Sequence, residues 1–327
     1  MDQYEPRDGS LSGKTVQTAL ILGITGSIGR ATARALARRG YRIRALARDP
    51  VAAAAKMSEP FPIEWCKGNA LDQLSVVKAA MGASILFHGV NPPGYTRWRE
   101  DGLPMLANSI AAARSSGARL LFPGNVYVFG PDAGREVDET APHNPTTRKG
   151  IVRVEMETML ANAARNGVSS VILRAGDFFG PGVESSWLSQ GIAKGGMKAK
   201  VLYDLTPVGH TWAYVPDLAE TFAAITDRQA KLGSFEVFHF DGHWIENGNV
   251  MAQAAKRAIG RADIKIRRFP WIVFYLGAPF VTFMREALEM MWLWEQPLRL
   301  NGQKLRAFLG DTPYTPLEAA VRQAIHS

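Results

Sequence analysis

Leu20-Ile21-Leu22-Gly23-Ile24-Thr25-Gly26-Ser27-Ile28-Gly29-Arg30 carries a short apolar strand into three glycines spaced three apart, and the last of them opens a helix. Each glycine has its own physical reason in such a turn. The first permits a tight bend, the second lets backbone approach a pyrophosphate, and the third lets helix pack close against strand. The helix N-terminus then offers unpaired N–H groups and a partial positive charge to an anion. The pattern sits in the strand–turn–helix context that a dinucleotide site requires, so a bound dinucleotide is expected here.

From Arg30 to Arg39 the spacing predicts a helix, with Ile28, Ala31 and Ala35 toward a sheet and Arg30, Arg34 and Arg38 on the opposite side. Gly40 stops it, and Tyr41 to Ala47 reads as the second strand, ended by Arg48-Asp49-Pro50. An NAD site places an acid at this strand end to hold the ribose 2′-hydroxyl. Here that position is Ala47, followed at once by Arg48. A guanidinium grips a 2′-phosphate that an acid would repel. NADP(H) is therefore expected over NAD(H), with Arg30 as a second cation near the phosphate.

Strands and helices keep alternating. Ile63 to Cys66 reads as a strand, and Gly68 to Asp72 as a turn into a helix over 72–80. Ser84 to His88 is the next strand, continued by Gly89-Val90-Asn91-Pro92-Pro93. A helix over 103–116 closes at Gly117, and Arg119 to Phe122 is a further strand. This rhythm predicts a doubly wound parallel α/β sheet of Rossmann type, with ligands at the strand C-terminal ends.

The chain has 327 residues, of which 46% are hydrophobic, enough for one large α/β unit and a smaller lobe. The single cysteine, Cys66, excludes a disulfide framework and fits a reducing, cytoplasmic setting. Residues 1–13 are polar, carry Asp2, Glu5 and Asp8, and read as a loose tail rather than a secretory signal. The net charge of +8 is spread over helix surfaces rather than gathered in aromatic-interleaved stripes. It fits a phosphate-rich small-molecule ligand, and no nucleic-acid partner is expected.

Taken together these residues resemble the extended short-chain dehydrogenase/reductase family, the NAD(P)-dependent epimerases and dehydratases. The glycine loop is similar to the family's TGxxGxxG fingerprint. Gly68-Asn69-Ala70-Leu71-Asp72 is similar to its adenine-side turn, with Asn69 where an Asp is usual. Ile172 to Gly182 resembles the segment that closes over the nicotinamide, and Thr211 to Ala219 the later YVxDxA turn. The Arg-Asp-Pro strand end is most like the atypical members. The likeness spans residues 15–245. It implies a cofactor set of Gly23, Thr25, Gly26, Ser27, Ile28, Gly29, Arg48, Asn69, Ala70, Leu71, Gly89 and Val90.

The family's catalytic trio, a Ser/Thr followed by a Tyr-x-x-x-Lys pair, is altered. Counting back from Phe129-Gly130 puts Asn125 at the Ser/Thr position, and the helix pattern puts Lys149 and Arg153 at the Tyr and Lys positions. Asn125 still offers an N–H to a carbonyl oxygen. Arg153, one turn from Lys149, is expected to ease proton release from it by like-charge repulsion and to hold the cofactor ribose. Tyr127 is the other candidate proton donor. The resemblance implies an oxidoreductase or epimerase acting on a carbonyl or carbinol. The alternative is a non-catalytic NADP(H)-binding sensor or subunit with a degenerate site.

Other signals are weaker. His239-Phe240-Asp241-Gly242-His243 would need an unbroken strand to act as a metal trio, and Gly242 predicts a turn, so no metal is expected. His88 and His210 lie near the cleft motifs and read as structural. The uncharged run Phe269 to Met284 is short for a membrane span and broken by Gly277 and Pro279. With a helix over Arg285–Trp294 it is expected to roof a substrate pocket or cap the core. A hydrophobic substrate, a homodimer contact and shallow membrane contact are its functional alternatives, the membrane least favoured. The division expected is a tail over 1–13, an NAD(P)-binding Rossmann domain over 14–175, and a substrate lobe over 176–327 with segments returning to the first domain.

Overall fold

The computed structural model describes residues 16–92 and 96–327, so the expected tail, residue 14 and Pro93 lie outside the described residues. Strands and helices alternate from the start: β1 (Thr18–Leu22), α1 (Ser27–Arg38), β2 (Arg42–Ala47), α2 (Pro50–Ala55), β3 (Ile63–Lys67), α3 (Gln73–Ala80) and β4 (Ala83–His88). Then come α4 (Leu103–Ser116), β5 (Arg119–Asn125), β6 (Glu136–Val137), α5 (Arg148–Ala164) and β7 (Ser170–Ala175). The second half adds β8 (Asp177–Phe179), β9 (Val201–Asp204), β10 (His210–Tyr214), α6 (Val215–Asp227), β11 (Phe235–Phe240), β12 (His243–Ile245) and α7 (Gly248–Ile259). The chain ends through β13 (Lys265–Arg268), α8 (Trp271–Gly277), α9 (Thr282–Leu288), α10 (Trp292–Glu295), β14 (Arg299–Leu300), α11 (Gln303–Leu309) and α12 (Leu317–His326).

Seven strands form one parallel sheet in the order β11-β7-β5-β4-β1-β2-β3. From β1 the chain winds outward to β2 and β3, then crosses back to β4 on the other side of β1. That reversal opens a crevice beyond the C-terminal ends of β1 and β4, where doubly wound sheets bind ligands. The inner strands are apolar on both faces because helices cover both: β1 and β7 are buried at every residue. One face packs Ala33, Leu36, Leu218, Phe222 and Leu305, from α1, α6 and α11, against the sheet. The other packs Val76, Leu106, Met156 and Leu160, from α3, α4 and α5.

A smaller apolar cluster lies in the C-terminal half, where Leu202, Trp212, Met251, Ile259, Trp294 and Val321 meet. β8, β10 and β12 form a three-stranded sheet beside it, and β13 pairs with β9. β11 comes from residues beyond 176 yet forms an edge of the main sheet, so the chain does return there.

Two expectations for the C-terminal region change. The helix expected over Arg285–Trp294 is broken into α9 and α10, separated by a turn at Glu289–Met291. The run Phe269 to Met284 caps the core only in part: Phe269 and Trp271 pack on the C-terminal apolar cluster, while α8 and α9 contribute no fully buried residue. Pro279 and Gly277 interrupt the helix, and among the described residues no strand or helix covers the outer face of what remains.

Candidate functional site

β1 ends at Gly23, whose φ of +82° suits a residue without Cβ. A Cβ there would also lie 2.5 Å from the Gly89 carbonyl oxygen, and one on Gly29 would lie 2.2 Å from the Gly23 carbonyl oxygen. These two glycines therefore let α1 begin directly on the strand end. Gly26 caps α1 without any side-chain hydrogen bond, and no acid sits in the first turn. The first N–H groups are thus left without a side-chain acceptor at the helix end beside the crevice, as an anion site requires.

The crevice holds a cavity of about 890 Å³. Gly23, Thr25, Gly26, Arg48, Asn69, Ala70, Leu71, Gly89 and Val90 line it, whereas Ser27, Ile28 and Gly29 lie behind the wall, Ile28 packed on the core. Leu71 N–H donates to the Asn69 carboxamide at 3.1 Å, and Asn108 Nδ2 donates to the Ala70 carbonyl at 2.9 Å. Those bonds fix the adenine-side turn. At the β2 end Arg48 is exposed and lines the cavity, with Lys56 from the end of α2 beside the same space. Asp49 is also there, but its carboxylate accepts from Ala52 N–H at 3.0 Å and so caps α2. Arg30, expected as a second phosphate cation, instead pairs with Glu59, as does Arg34 at 2.6 Å. Lys56, rather than Arg30, lines the cavity beside Arg48; nothing in its sequence neighbourhood singled it out.

The expected catalytic positions gather where β5 meets α5. A Cβ on Gly150 would lie 2.4 Å from the Tyr127 carbonyl oxygen, so this glycine lets the start of α5 close on the β5 end. Thr147 Oγ1 accepts from Gly150 N–H at 3.0 Å and caps the helix. Asn125 Oδ1 accepts from Tyr127 N–H at 3.1 Å, which leaves Nδ2 as the side chain's donor. Tyr127 packs in the apolar cluster around Val128, Phe129 and Leu293.

Lys149 is 6% exposed, and its surroundings differ from the expectation. Its ammonium lies 2.7 Å from Glu286 Oε2 and 3.6 Å from Glu289 Oε2, and donates to the Glu286 carbonyl at 2.8 Å. Arg148 reaches the same two carboxylates. Opposite charges from α9 and the turn after it, rather than Arg153 alone, set the field at Lys149. Arg153 is buried with its guanidinium 4.8 Å from the Trp98 ring centre and 5.6 Å from that of Phe122. Its Nη2 lies 3.5 Å from Asn91 Oδ1, and Asn91 lines the cavity, so Arg153 is connected to the crevice through that side chain.

His88, His210 and His239 are each engaged by neighbouring groups. His88 Nδ1 lies 2.7 Å from Ser109 Oγ, and burial together with the nearby Arg153 pushes its pKa down to about 3. His239 meets Arg174 and the Val137 carbonyl, His210 pairs with Asp177, and Asp241 pairs with Arg306. Gly242 adopts φ +46° between β11 and β12, so the histidines and Asp241 do not share one strand face.

A family model described as NAD dependent epimerase/dehydratase family matches residues 19–239. Among solved structures, the chain is similar to UDP-N-acetylglucosamine 4-epimerase from Bacillus cereus, with 12% identity, TM-score 0.73 and 94% of each chain covered. It is similar to ADP-L-glycero-D-manno-heptose-6-epimerase from Helicobacter pylori at 16% identity and TM-score 0.72, covering 95% of this chain and 97% of that one. UDP-glucose 4-epimerase from Thermus thermophilus, solved as a complex with NAD, gives 18%, 0.70, 95% and 98%. At these identities the likeness shows the fold. No curated protein matches the chain significantly.

Proposed function

The chain belongs to the NAD dependent epimerase/dehydratase family, and from that premise we propose that it binds NADP(H) in preference to NAD(H) and carries out hydride chemistry on a carbonyl or carbinol. The observation that carries the cofactor reading is the β2 end of the cavity: Arg48 and Lys56 line it, and the acid beside them, Asp49, is held as a helix cap. Two cations there favour a ribose 2′-phosphate. The uncapped start of α1 suits the pyrophosphate.

When bound, the cofactor supplies hydride donation or acceptance. The chain's part is to hold and orient. Asn125 Nδ2 donates to the substrate oxygen, and Arg153 steadies the ribose side of the site through Asn91. Lys149 exchanges a proton with that oxygen, with Glu286 as its partner at 2.7 Å. The same Lys149–Glu286 contact favours a second reading, in which the altered trio is a structural clamp and the protein senses or carries NADP(H) without turnover.

Titration of NADPH and NADH fluorescence on the purified protein and on Arg48→Ala tests the cofactor. NADPH binding at least about tenfold tighter than NADH, reduced in the variant with NADH unaffected, is expected for a guanidinium–phosphate contact. Equal affinities for the two would overturn it. A screen of carbonyl substrates with NADPH, repeated on Lys149→Ala, separates the two readings. Turnover that collapses in the folded variant supports the enzyme, and turnover retained there removes Lys149 from the chemistry.

A further inference from the structure

The sixteen residues from Phe269 to Met284 carry no charge, and they hold α8 and the first turn of α9. The inner side of this hairpin is anchored. Trp271 Nε1 donates to the Leu205 carbonyl at 2.9 Å, and the Trp271 and Phe274 rings pack on Phe269, 4.7 and 5.3 Å between centroids. Phe274 and Phe283 hold the two helices together at 6.1 Å. The outer side is open: Phe280 is 88% exposed, Leu276 70%, Ile272 64% and Phe283 57%. Soluble surfaces seldom gather so many large apolar side chains unless something covers them.

Charge around the hairpin says what kind of surface that is. Between Lys265 and Arg285 there are four basic residues, Lys265, Arg267, Arg268 and Arg285, all exposed, and no acidic one. Of the first carboxylates on either side, Asp263 is exposed and pairs with Arg261 at 2.8 Å, while Glu286 and Glu289 pair with Lys149 and Arg148. The strand beside β13 ends at Asp204, which faces Arg268; burial pushes its carboxyl up, and hydrogen bonding from Thr206 N–H together with Arg268 opposes that.

We propose that the α8–α9 hairpin docks this protein on the surface of an anionic lipid bilayer, with Leu276 and Phe280 entering the acyl boundary and Arg267, Arg268 and Arg285 at the phosphate level. Apolar side chains flanked by cations and an amphipathic tryptophan are the combination that binds such an interface in its plane. A second copy is a poorer occupant. A two-fold contact would press one cationic rim against the other. No helix among the described residues is long and apolar enough to cross a membrane, so the contact is shallow. This inference stands apart from the hydride reading and survives its failure.

Co-sedimentation of the full chain with vesicles of phosphatidylcholine, alone or mixed with phosphatidylglycerol, tests it. Binding to the mixed vesicles, weakened by added salt, is expected. Leu276→Glu with Phe280→Glu, and separately Arg267→Glu with Arg268→Glu, should each cut the bound fraction about tenfold. Both pairs are exposed, so an unchanged melting temperature and circular dichroism spectrum will show that the variants are folded. No binding by the wild-type chain to either vesicle, or undiminished binding by both variants, would overturn the proposal. Self-association in solution that Phe280→Glu abolishes, with no vesicle binding, would overturn it in favour of a second copy.

Discussion

Arg174 is fully buried, and its guanidinium is satisfied on every side. It donates to both Glu157 oxygens, 2.7 Å at the shortest, to His239 Nε2 at 3.1 Å and to His143 Nε2 at 2.7 Å. His239 Nδ1 in turn faces the Val137 carbonyl at 3.2 Å, so that imidazole donates from Nδ1 and accepts at Nε2. Removing one member of such a set leaves an uncompensated charge in low dielectric. Glu157→Ala is therefore expected to lower unfolding free energy by about 3–5 kcal/mol, and urea denaturation will measure it. Replacing Arg174 and Glu157 together by apolar residues of similar volume should cost far less, because no orphan charge remains. Arg48 is the opposite case. It is exposed, so Arg48→Ala should change stability by less than about 0.5 kcal/mol while weakening NADPH binding. Both residues are arginines near strand ends, and the side chains that meet them separate a buried, fully paired guanidinium from an exposed one.

At the scale of elements, the α1 start shows how a local pattern becomes a site. A methyl group on Gly29 would meet the Gly23 carbonyl oxygen at 2.2 Å, a backbone atom that has no room to yield. Gly29→Ala should force α1 off the β1 end, destabilise the chain by about 2–4 kcal/mol and abolish dinucleotide binding. Thermal unfolding with and without NADPH reads both effects. α5 behaves differently. Its cap and its glycine set the start of α5 against the β5 end, yet α9, 137 residues later, supplies the carboxylate that meets Lys149. Glu286→Gln would leave the Lys149 ammonium without its nearest negative partner. If Lys149 exchanges a proton with substrate, the pH profile of turnover should shift in that variant; an unmoved profile would make the pair a clamp.

For the whole molecule, acid is the condition to which stability should respond most. Burial, with Arg153 beside one and Arg174 beside the other, pushes the pKa values of His88 and His239 down to about 3. An unfolded chain protonates both near the ordinary pKa of about 6.5. Between those limits the unfolded state binds more protons, so stability falls as pH drops, by up to about 1.4 kcal/mol per pH unit for each imidazole. Urea midpoints that decline from pH 7 to pH 5 are the expected result; a flat profile would mean that both imidazoles titrate normally in the folded state. NADPH at a hundred times its dissociation constant should raise stability by about 2.7 kcal/mol, seen as a higher melting temperature.

The alternation of strands and helices, the stop of α4 before Gly117 and the glycine turn were legible in the sequence because each depends on side chains within a few residues of one another. The same is true of the Arg48 end of β2. Sequence alone therefore determined a doubly wound sheet, the place of its crevice and the chemistry of a dinucleotide ligand. Tertiary structure decided what each polar side chain faces. Glu59 draws Arg30 away from the crevice, Glu286 and Glu289 take Lys149, and of the run after Phe269 only the inner side, at Trp271, packs on the core. Coulombic pairing and burial act through space between segments far apart in the chain, and local periodicity carries no record of them.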